Sequence, residues 1–309
     1  MTTDTMFRHD ALLYAGLDDF VARTAAFVRA GLSADEAVGV AVIEPRASAL
    51  RDALGDDADH VTWIDMAEVG RNPARIIPAW VEWTQANAAR GFRGIGEPIW
   101  AGRSDDEIVE CVHHEALLNM AFADVPWQLL CPYDMDALNP DVIGHAHRTH
   151  PRVLDGEAER DGRDLHAGDF AATLAGPALP AVPARAERLD FRSGELAAVR
   201  SLVRRSLSEA PKAHVNHAIL AVSEIAGNSV VHGGGGGSIA VWAEGTVFVC
   251  EIRDAGRVTD PLAGRRCPLP DQDGGRGLWM VNRICDLVQI RSGGTGTTIR
   301  LRLNGPATA

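Results

Sequence analysis

Glu224-Ile-Ala-Gly-Asn228-Ser-Val-Val-His232 is the stretch on which the reading of the chain turns. At about 100° per residue, Glu224, Asn228 and His232 fan across one helical face, while Ile219, Val222, Ala226 and Val230 cluster on the opposite one. Such a helix can lie on a sheet and still aim a carboxylate, an amide and an imidazole at a pocket. An amide oxygen suits a hard cation, and Mg²⁺ takes few protein ligands while phosphates and water complete its shell. A carboxylate one turn earlier can orient or deprotonate an attacking hydroxyl. Alone, E-x-x-x-N is more often a solvated helix face; its neighbours decide.

Downstream, Gly233 to Gly237 stops the helix and is expected to be irregular. Ile239–Trp242 and Val247–Ile252 read as a strand pair turned at Glu244-Gly245, followed by Asp254-Ala-Gly256 and a Pro/Gly/Arg loop to Asp273. Gly274-Gly-Arg-Gly277 opens a helix (Leu278–Leu287), and two strands joined through Gly293-Gly-Thr-Gly296 finish the chain. Upstream, Leu189–Phe191 is a strand and Ser193-Gly-Glu195 opens a helix to about Leu207. Glycines at a helix start expose backbone N–H groups to an anion, although a plain tight turn reads the same. Asp254 at a strand end can accept from an exocyclic amine or simply turn the chain, and Gly256 leaves room for a flat ring.

Order and spacing bind these features together. E-x-x-x-N, then D-x-G after a strand, then G-x-G at a helix start, then a G-T strand resembles the GHKL (Bergerat) ATP-binding fold, and within it the RsbW-like anti-sigma-factor kinases. Asp260-Pro-Leu-Ala-Gly264 and Gly275-Arg-Gly-Leu-Trp-Met-Val-Asn282 carry the closer likeness, over about Leu189 to Leu303. The resemblance implies a two-layer α/β sandwich binding ATP and Mg²⁺. Asn228 would hold the metal and Glu224 would be the catalytic base. Asp254, with Gly256 and supported by Thr297, would meet adenine; Gly275 and Gly277 would meet phosphates; residues 257–273 would form a lid. Arg257-Val258 departs from the pattern, which expects a second glycine at 258.

With 309 residues, two domains are expected: 1–155, a linker 156–185 rich in charge, Pro and Gly, and 186–309. The linker is expected to be exposed, with a short element that docks on a neighbour. Formal net charge is -12, and Lys212 is the sole lysine. General nucleic-acid affinity is thereby disfavoured, and no G-x-x-x-x-G-K-[ST] phosphate loop exists. Five scattered cysteines without C-x-x-C fit reduced thiols. No apolar run reaches membrane length and the N-terminus lacks a signal-peptide core, so a cytoplasmic, membrane-free protein is expected.

The first domain alternates strand-like and helix-like periods. Ala11–Tyr14, Val38–Ile43, His60–Ile64, Phe92–Trp100 and Trp127–Cys131 read as strands; Leu17–Gly31, Ser48–Leu54, Pro73–Arg90, Ser104–Phe122 and Pro140–His147 read as helices. A mostly parallel three-layer sheet is expected. Glu97, His114, Glu115, Cys131 and Asp134 can line one pocket at the carboxyl edge of that sheet, where open α/β sheets bind ligands. His113-His-Glu115 lacks zinc spacing, and His145, His147 and His150 read as ordinary helix-end residues.

His9 with Leu12-Leu-Tyr14, Gly96-Glu-Pro-Ile-Trp100, His114-Glu-Ala-Leu-Leu-Asn119, Cys131-Pro-Tyr-Asp134 and His150-Pro151 together resemble the MEDS sensory domain. That likeness implies a RecA-like fold without a working phosphate loop, and a sensing role. The whole then reads as an anti-sigma-type serine/threonine kinase with a sensory domain, acting on a sigma factor or a STAS-type antagonist, as a homodimer. A non-catalytic ATP-binding sensor is the alternative. A histidine kinase is disfavoured, because the helix Gly194–Leu207 has no histidine.

Overall fold

The computed structural model describes residues 6–156, 158–161, 176–268 and 275–305, and the chain divides into two compact units, Met1–Leu174 and Ala175–Ala309. In the first, seven strands form one sheet: β1 (Arg8–Tyr14), β2 (Ala37–Val42), β3 (Val61–Asp65), β4 (Phe92–Gly96), β5 (Gln128–Asp134), β6 (Arg152–Asp155) and β7 (Ala158–Asp161). Their order is β3-β2-β4-β5-β1-β6-β7, parallel except for the β6–β7 pair. Between them run α1 (Gly16–Ser33), α2 (Arg46–Leu54), α3 (Met66–Val69), α4 (Ile76–Ala86), α5 (Asp105–Ala121) and α6 (Pro140–Thr149). Right-handed crossovers put α1 and α2 on one face and α4, α5 and α6 on the other.

Strand β2, Ala-Val-Gly-Val-Ala-Val, is buried at every position, as a central parallel strand covered on both faces must be. Leu12, Tyr14, Phe20, Val28, Val40 and Leu50 fill one interface. Trp80, Trp83 and Trp127 interlock in the other, with ring centroids 5.4 to 6.4 Å apart. A Cβ on Gly39 would meet the Trp80 and Trp83 rings at 3.0 Å, so a bare backbone here makes room for the indoles. Strand β1 passes into α1 through Ala15 alone, leaving no space for a phosphate loop.

Two expectations need correction. The helix expected from Pro73 to Arg90 is a 3₁₀ turn, Pro73–Arg75, followed by α4, which stops at Ala86 because the Asn87 side chain bonds the Trp83 carbonyl at 2.8 Å. The strand expected to reach Trp100 ends at Gly96, just before Glu97-Pro98, where proline cannot donate to a ladder.

The second unit has an antiparallel sheet ordered β11-β12-β10-β9-β8, from β8 (Glu187–Arg192), β9 (Gly236–Glu244), β10 (Val247–Asp254), β11 (Leu287–Gly293) and β12 (Gly296–Leu303). Helices α7 (Leu196–Ser206), α8 (Lys212–His232) and α9 (Arg276–Ile284) cover one face over Phe191, Val222, Ile225, Ile252, Val281 and Leu301. This is the expected two-layer sandwich. Because α8 is flanked by α7 and α9 as well as lying on the sheet, its buried face is Ala218, Ala221, Val222, Ile225, Ala226 and Ser229; Ile219 and Val230 stand at the core margin. The five glycines are not all irregular either. Gly236 and Gly237 belong to β9, where a Cβ would lie 2.2 Å from the Phe191 oxygen and 2.5 Å from the Arg253 oxygen.

Part of the expected linker lies on the sheet's other face. Val182 packs with Trp242 and Val249, and the Pro177 and Pro180 carbonyls accept from Arg291 Nε at 2.8 Å and Arg300 Nη2 at 2.5 Å. No helix among the described residues is long and apolar enough to cross a membrane.

Candidate functional site

Helix α8 carries Glu224 and Asn228 side by side and half-buried. Among the described residues, no hydrogen bond holds either the carboxylate or the amide. Gly277, in the first turn of α9, faces them directly: a Cβ there would lie 2.7 Å from Glu224 Oε2 and 3.8 Å from Asn228 Nδ2. The glycine-lined helix start and the amide-bearing helix therefore meet. Gly275 is the N-cap of α9 at φ 81°, a left-handed conformation that glycine adopts without penalty. The N–H groups of a helix's first turn are the sort that receive phosphate oxygens. Gly274 and residues 269–273 of the expected lid lie outside the described residues.

Asp254 ends β10 beside the last turns of α8. Ser229 Oγ donates to its Oδ2 at 2.6 Å and the Gly256 N–H to its Oδ1 at 2.8 Å. Each carboxylate oxygen keeps a second lone pair, so an exocyclic amine can still be accepted. Gly256 has no space for a side chain, since a Cβ would stand 2.6 Å from the His232 carbonyl oxygen.

Thr297 supports this corner through the backbone rather than through Asp254. Its hydroxyl donates to the Gly256 carbonyl at 2.8 Å and accepts from Ser292 Oγ at 2.8 Å, while Ser292 accepts the Val258 N–H at 2.8 Å. Ser292 was not foreseen, yet it is the register partner of Thr297 across the last hairpin. Val258, where a glycine was expected, is held by its N–H, which any residue but proline offers. Further on, Leu262 is buried, Gly264 sits at φ 73°, and Asn282 Nδ2 donates to the Gly264 carbonyl at 3.0 Å. The start of the segment expected to form a lid is thus docked on α9.

Of the five residues expected in one pocket of the first unit, four separate into two pairs. Glu97 and Asp134 do stand at the carboxyl ends of β4 and β5. There Arg46 bonds Tyr14 Oη at 2.6 Å, Glu97 Oε1 at 3.1 Å and Asp134 Oδ2 at 2.8 Å, and the Tyr14 hydroxyl donates to Glu97 Oε1 at 3.3 Å. Burial pushes the Glu97 carboxyl up to about 7, although the Arg46 guanidinium opposes it. Burial, with Glu97 next to it, also raises Tyr14.

Cys131 is three residues before Asp134 on the same strand, so the period of two sends their side chains to opposite faces. Cys131 therefore joins Glu115 under α5, together with His9 from β1 and His150 from the end of α6. His9 Nε2 is 2.9 Å from Glu115 Oε2 and 3.3 Å from Cys131 Sγ, and His150 Nε2 is 3.3 Å from the same Glu115 oxygen. All four side chains are buried. His114, one position before Glu115 on α5, is not in this group. His9, His150, Tyr14 and Arg46 were missed as site residues; the first three stood in the quoted motifs, but their meeting depends on sheet order.

Residues 8–151 match the family model of MEDS, the methanogen/methylotroph DcmR sensory domain, and residues 190–303 match that of the histidine kinase-like ATPase domain. Both resemblances read from the sequence are thus found, in the expected order. The crystal structure of the RsbU and RsbW domains of Rv1364c from Mycobacterium tuberculosis is 21% identical over 40% of this chain and 33% of that chain, with a TM-score of 0.30. The chain therefore spans about a third of that structure's length. No curated protein matches the chain. The domain pairing is that of an ATPase-like signalling protein.

Proposed function

We propose that the second unit binds Mg-ATP and phosphorylates a serine or threonine on a partner, under the control of the sensory first unit. The observation that carries this reading is the approach of Gly277 to Glu224 and Asn228, which leaves a side-chain-free cradle between a helix N-terminus and two unengaged polar groups. The residues fit the nucleotide: the first turn of α9 would meet phosphate oxygens, the Asn228 amide oxygen would ligate Mg²⁺, and Asp254 would accept from the adenine amine. ATP supplies the transferable phosphoryl group. Glu224 accepts the proton of the acceptor hydroxyl, and its half-buried place on a rigid helix holds it in position for that task. The chain linking Val258, Ser292, Thr297 and Gly256 fixes where the lid leaves the sheet.

The RsbW-like motifs support a bacterial sigma factor or its STAS-type antagonist as the partner, and a homodimer as the working state. The test is a titration of ATP and ADP with and without Mg²⁺, followed by assay of phosphate on a serine of an antagonist domain. Transfer that needs Mg²⁺ and disappears in Glu224→Ala supports the kinase. Tight Mg-dependent binding without transfer to any antagonist leaves the second reading, a nucleotide-gated binding switch, which the bulkier Arg257-Val258 hinge favours. Protein indifferent to adenine nucleotides overturns both.

A further inference from the structure

We propose that the first unit holds a divalent transition-metal ion of the zinc class between His9, Glu115, Cys131 and His150. One ligand atom from each lies within 4.8 Å of all the others. Two ligand atoms on bonds of about 2.1 Å at a tetrahedral angle are roughly 3.4 Å apart, and the three contacts converging here are 2.9, 3.3 and 3.3 Å. Two imidazoles, a carboxylate and a sulfur form a donor set suited to zinc or a similar borderline cation rather than to Mg²⁺ or Ca²⁺.

Hydrogen-bond accounting around the cluster gives the stronger reason. The Asn119 amide is oriented by Nδ2, which donates to the Thr149 carbonyl at 2.8 Å, so its oxygen accepts the Nδ1–H of His9 at 3.2 Å. His150 Nδ1 faces the Ala146 carbonyl at 3.0 Å, which can only accept. It also faces Thr149 Oγ1 at 3.0 Å, whose own proton goes to the His145 carbonyl. Both histidines therefore carry their Nδ1 proton outward, as ligating histidines do when outer partners fix the tautomer. Their Nε2 lone pairs then point at the same Glu115 oxygen, an arrangement of three electron-rich atoms that needs positive charge at its centre. Glu115 Oε1, also buried, has no hydrogen-bond partner among the described residues.

A metal dication balances this centre to neutrality: one carboxylate, one thiolate and two neutral imidazoles leave no net charge in a site closed to water. The Cys131 proton leaves to solvent as the metal binds. The ligands come from β1, α5, β5 and the turn after α6, so the ion would clamp four elements whose spacing along the chain shows no metal pattern.

The test uses the full chain, free of nucleotide and Mg²⁺, stripped with a chelator, reloaded with zinc and desalted. One zinc retained per chain is expected, with a higher unfolding temperature than the stripped form. Cobalt in its place is expected to give a thiolate-to-metal charge-transfer band that Cys131→Ser abolishes. If Cys131→Ser does not fold, His150→Cys keeps a full ligand set and is expected to strengthen that band. A wild-type chain that retains no stoichiometric zinc, or a cobalt spectrum untouched by the Cys131 and His150 substitutions, overturns the proposal.

Discussion

In the first unit, His9, Glu115, Cys131 and His150 meet side chain to side chain, 0 to 1% exposed, with their outer atoms tied to neighbouring carbonyls and amides. In the second, Glu224 and Asn228 are half-exposed and lie close to a glycine, with no hydrogen bond to either side chain among the described residues. Both are polar constellations formed where a helix packs against a sheet, but one is closed on itself and the other waits for a ligand. Closure follows from where the groups sit: the first lies between layers, where desolvation makes every unpaired polar atom costly. The second lies at a helix end and a loop, where water satisfies unpaired groups until a ligand replaces it. A closed centre suits a permanent structural role, an open one suits exchange.

The largest expected effect tests that division. Glu115→Ala removes the carboxylate at which two buried imidazoles converge and should destabilise the first unit by about 3–5 kcal/mol. Urea unfolding followed by tryptophan fluorescence should show this, since Trp80, Trp83 and Trp127 report on that unit. The transition of the second unit should not move. A loss of about 1 kcal/mol or less would break the contrast, because a closed centre cannot be that indifferent to its central anion.

Next comes the Arg46–Glu97–Tyr14 corner, which shows that even the first unit's carboxyl edge is partly closed. Glu97 in the fold sits at about 7, above its ordinary 4.5. Its protonated form is therefore favoured by folding. That contribution is fully present below about pH 4.5 and is lost as pH rises through 7. The gap is worth about 3 kcal/mol as an upper figure. Unfolding measured from pH 4.5 to 8 should show a decline for the wild type that Glu97→Gln flattens; parallel curves would remove Glu97 from the account.

For the open site, Gly277→Val should lower ATP affinity about 100-fold, or about 2.7 kcal/mol, while changing the unfolding midpoint little. The added Cβ meets the mobile end of Glu224 rather than backbone, so the carboxylate can swing aside, but the cradle is filled. Calorimetric titration with ATP checks it. Unchanged affinity would mean that nucleotide, if bound, does not sit between α8 and α9.

How much was legible beforehand follows the same line. The open site's groups are announced locally, by an E-x-x-x-N helix, D-x-G after a strand and G-x-G at a helix start, each readable within a few residues. Strand β2 was legible because burial on both faces makes its whole length apolar. The closed cluster was not, because positions 9, 115, 131 and 150 meet only once β1 is placed between β5 and β6. Local pattern also misjudged Gly236 and Gly237. Five glycines suggest an irregular loop, and only the close approach of neighbouring strands explains why two of them are paired.

The smallest effect is the most specific. Ser292 ties the segment after Gly256 to the sheet by accepting the Val258 N–H and donating to Thr297, whose own proton goes to the Gly256 carbonyl. Ser292→Ala deletes the middle of this chain. Val258 then loses its acceptor, while Thr297 keeps its bond to Gly256, so the adenine corner stays intact and only the hinge is freed. One lost hydrogen bond at a part-buried site is worth about 1 kcal/mol. The expected outcome is an unchanged fold, ATP affinity within a few-fold of wild type, and faster nucleotide dissociation in stopped-flow displacement. If Ser292→Ala instead weakens binding as strongly as Asp254→Ala, the serine is part of the adenine pocket itself. The open site would then be more tightly pre-built than its contrast with the closed cluster implies.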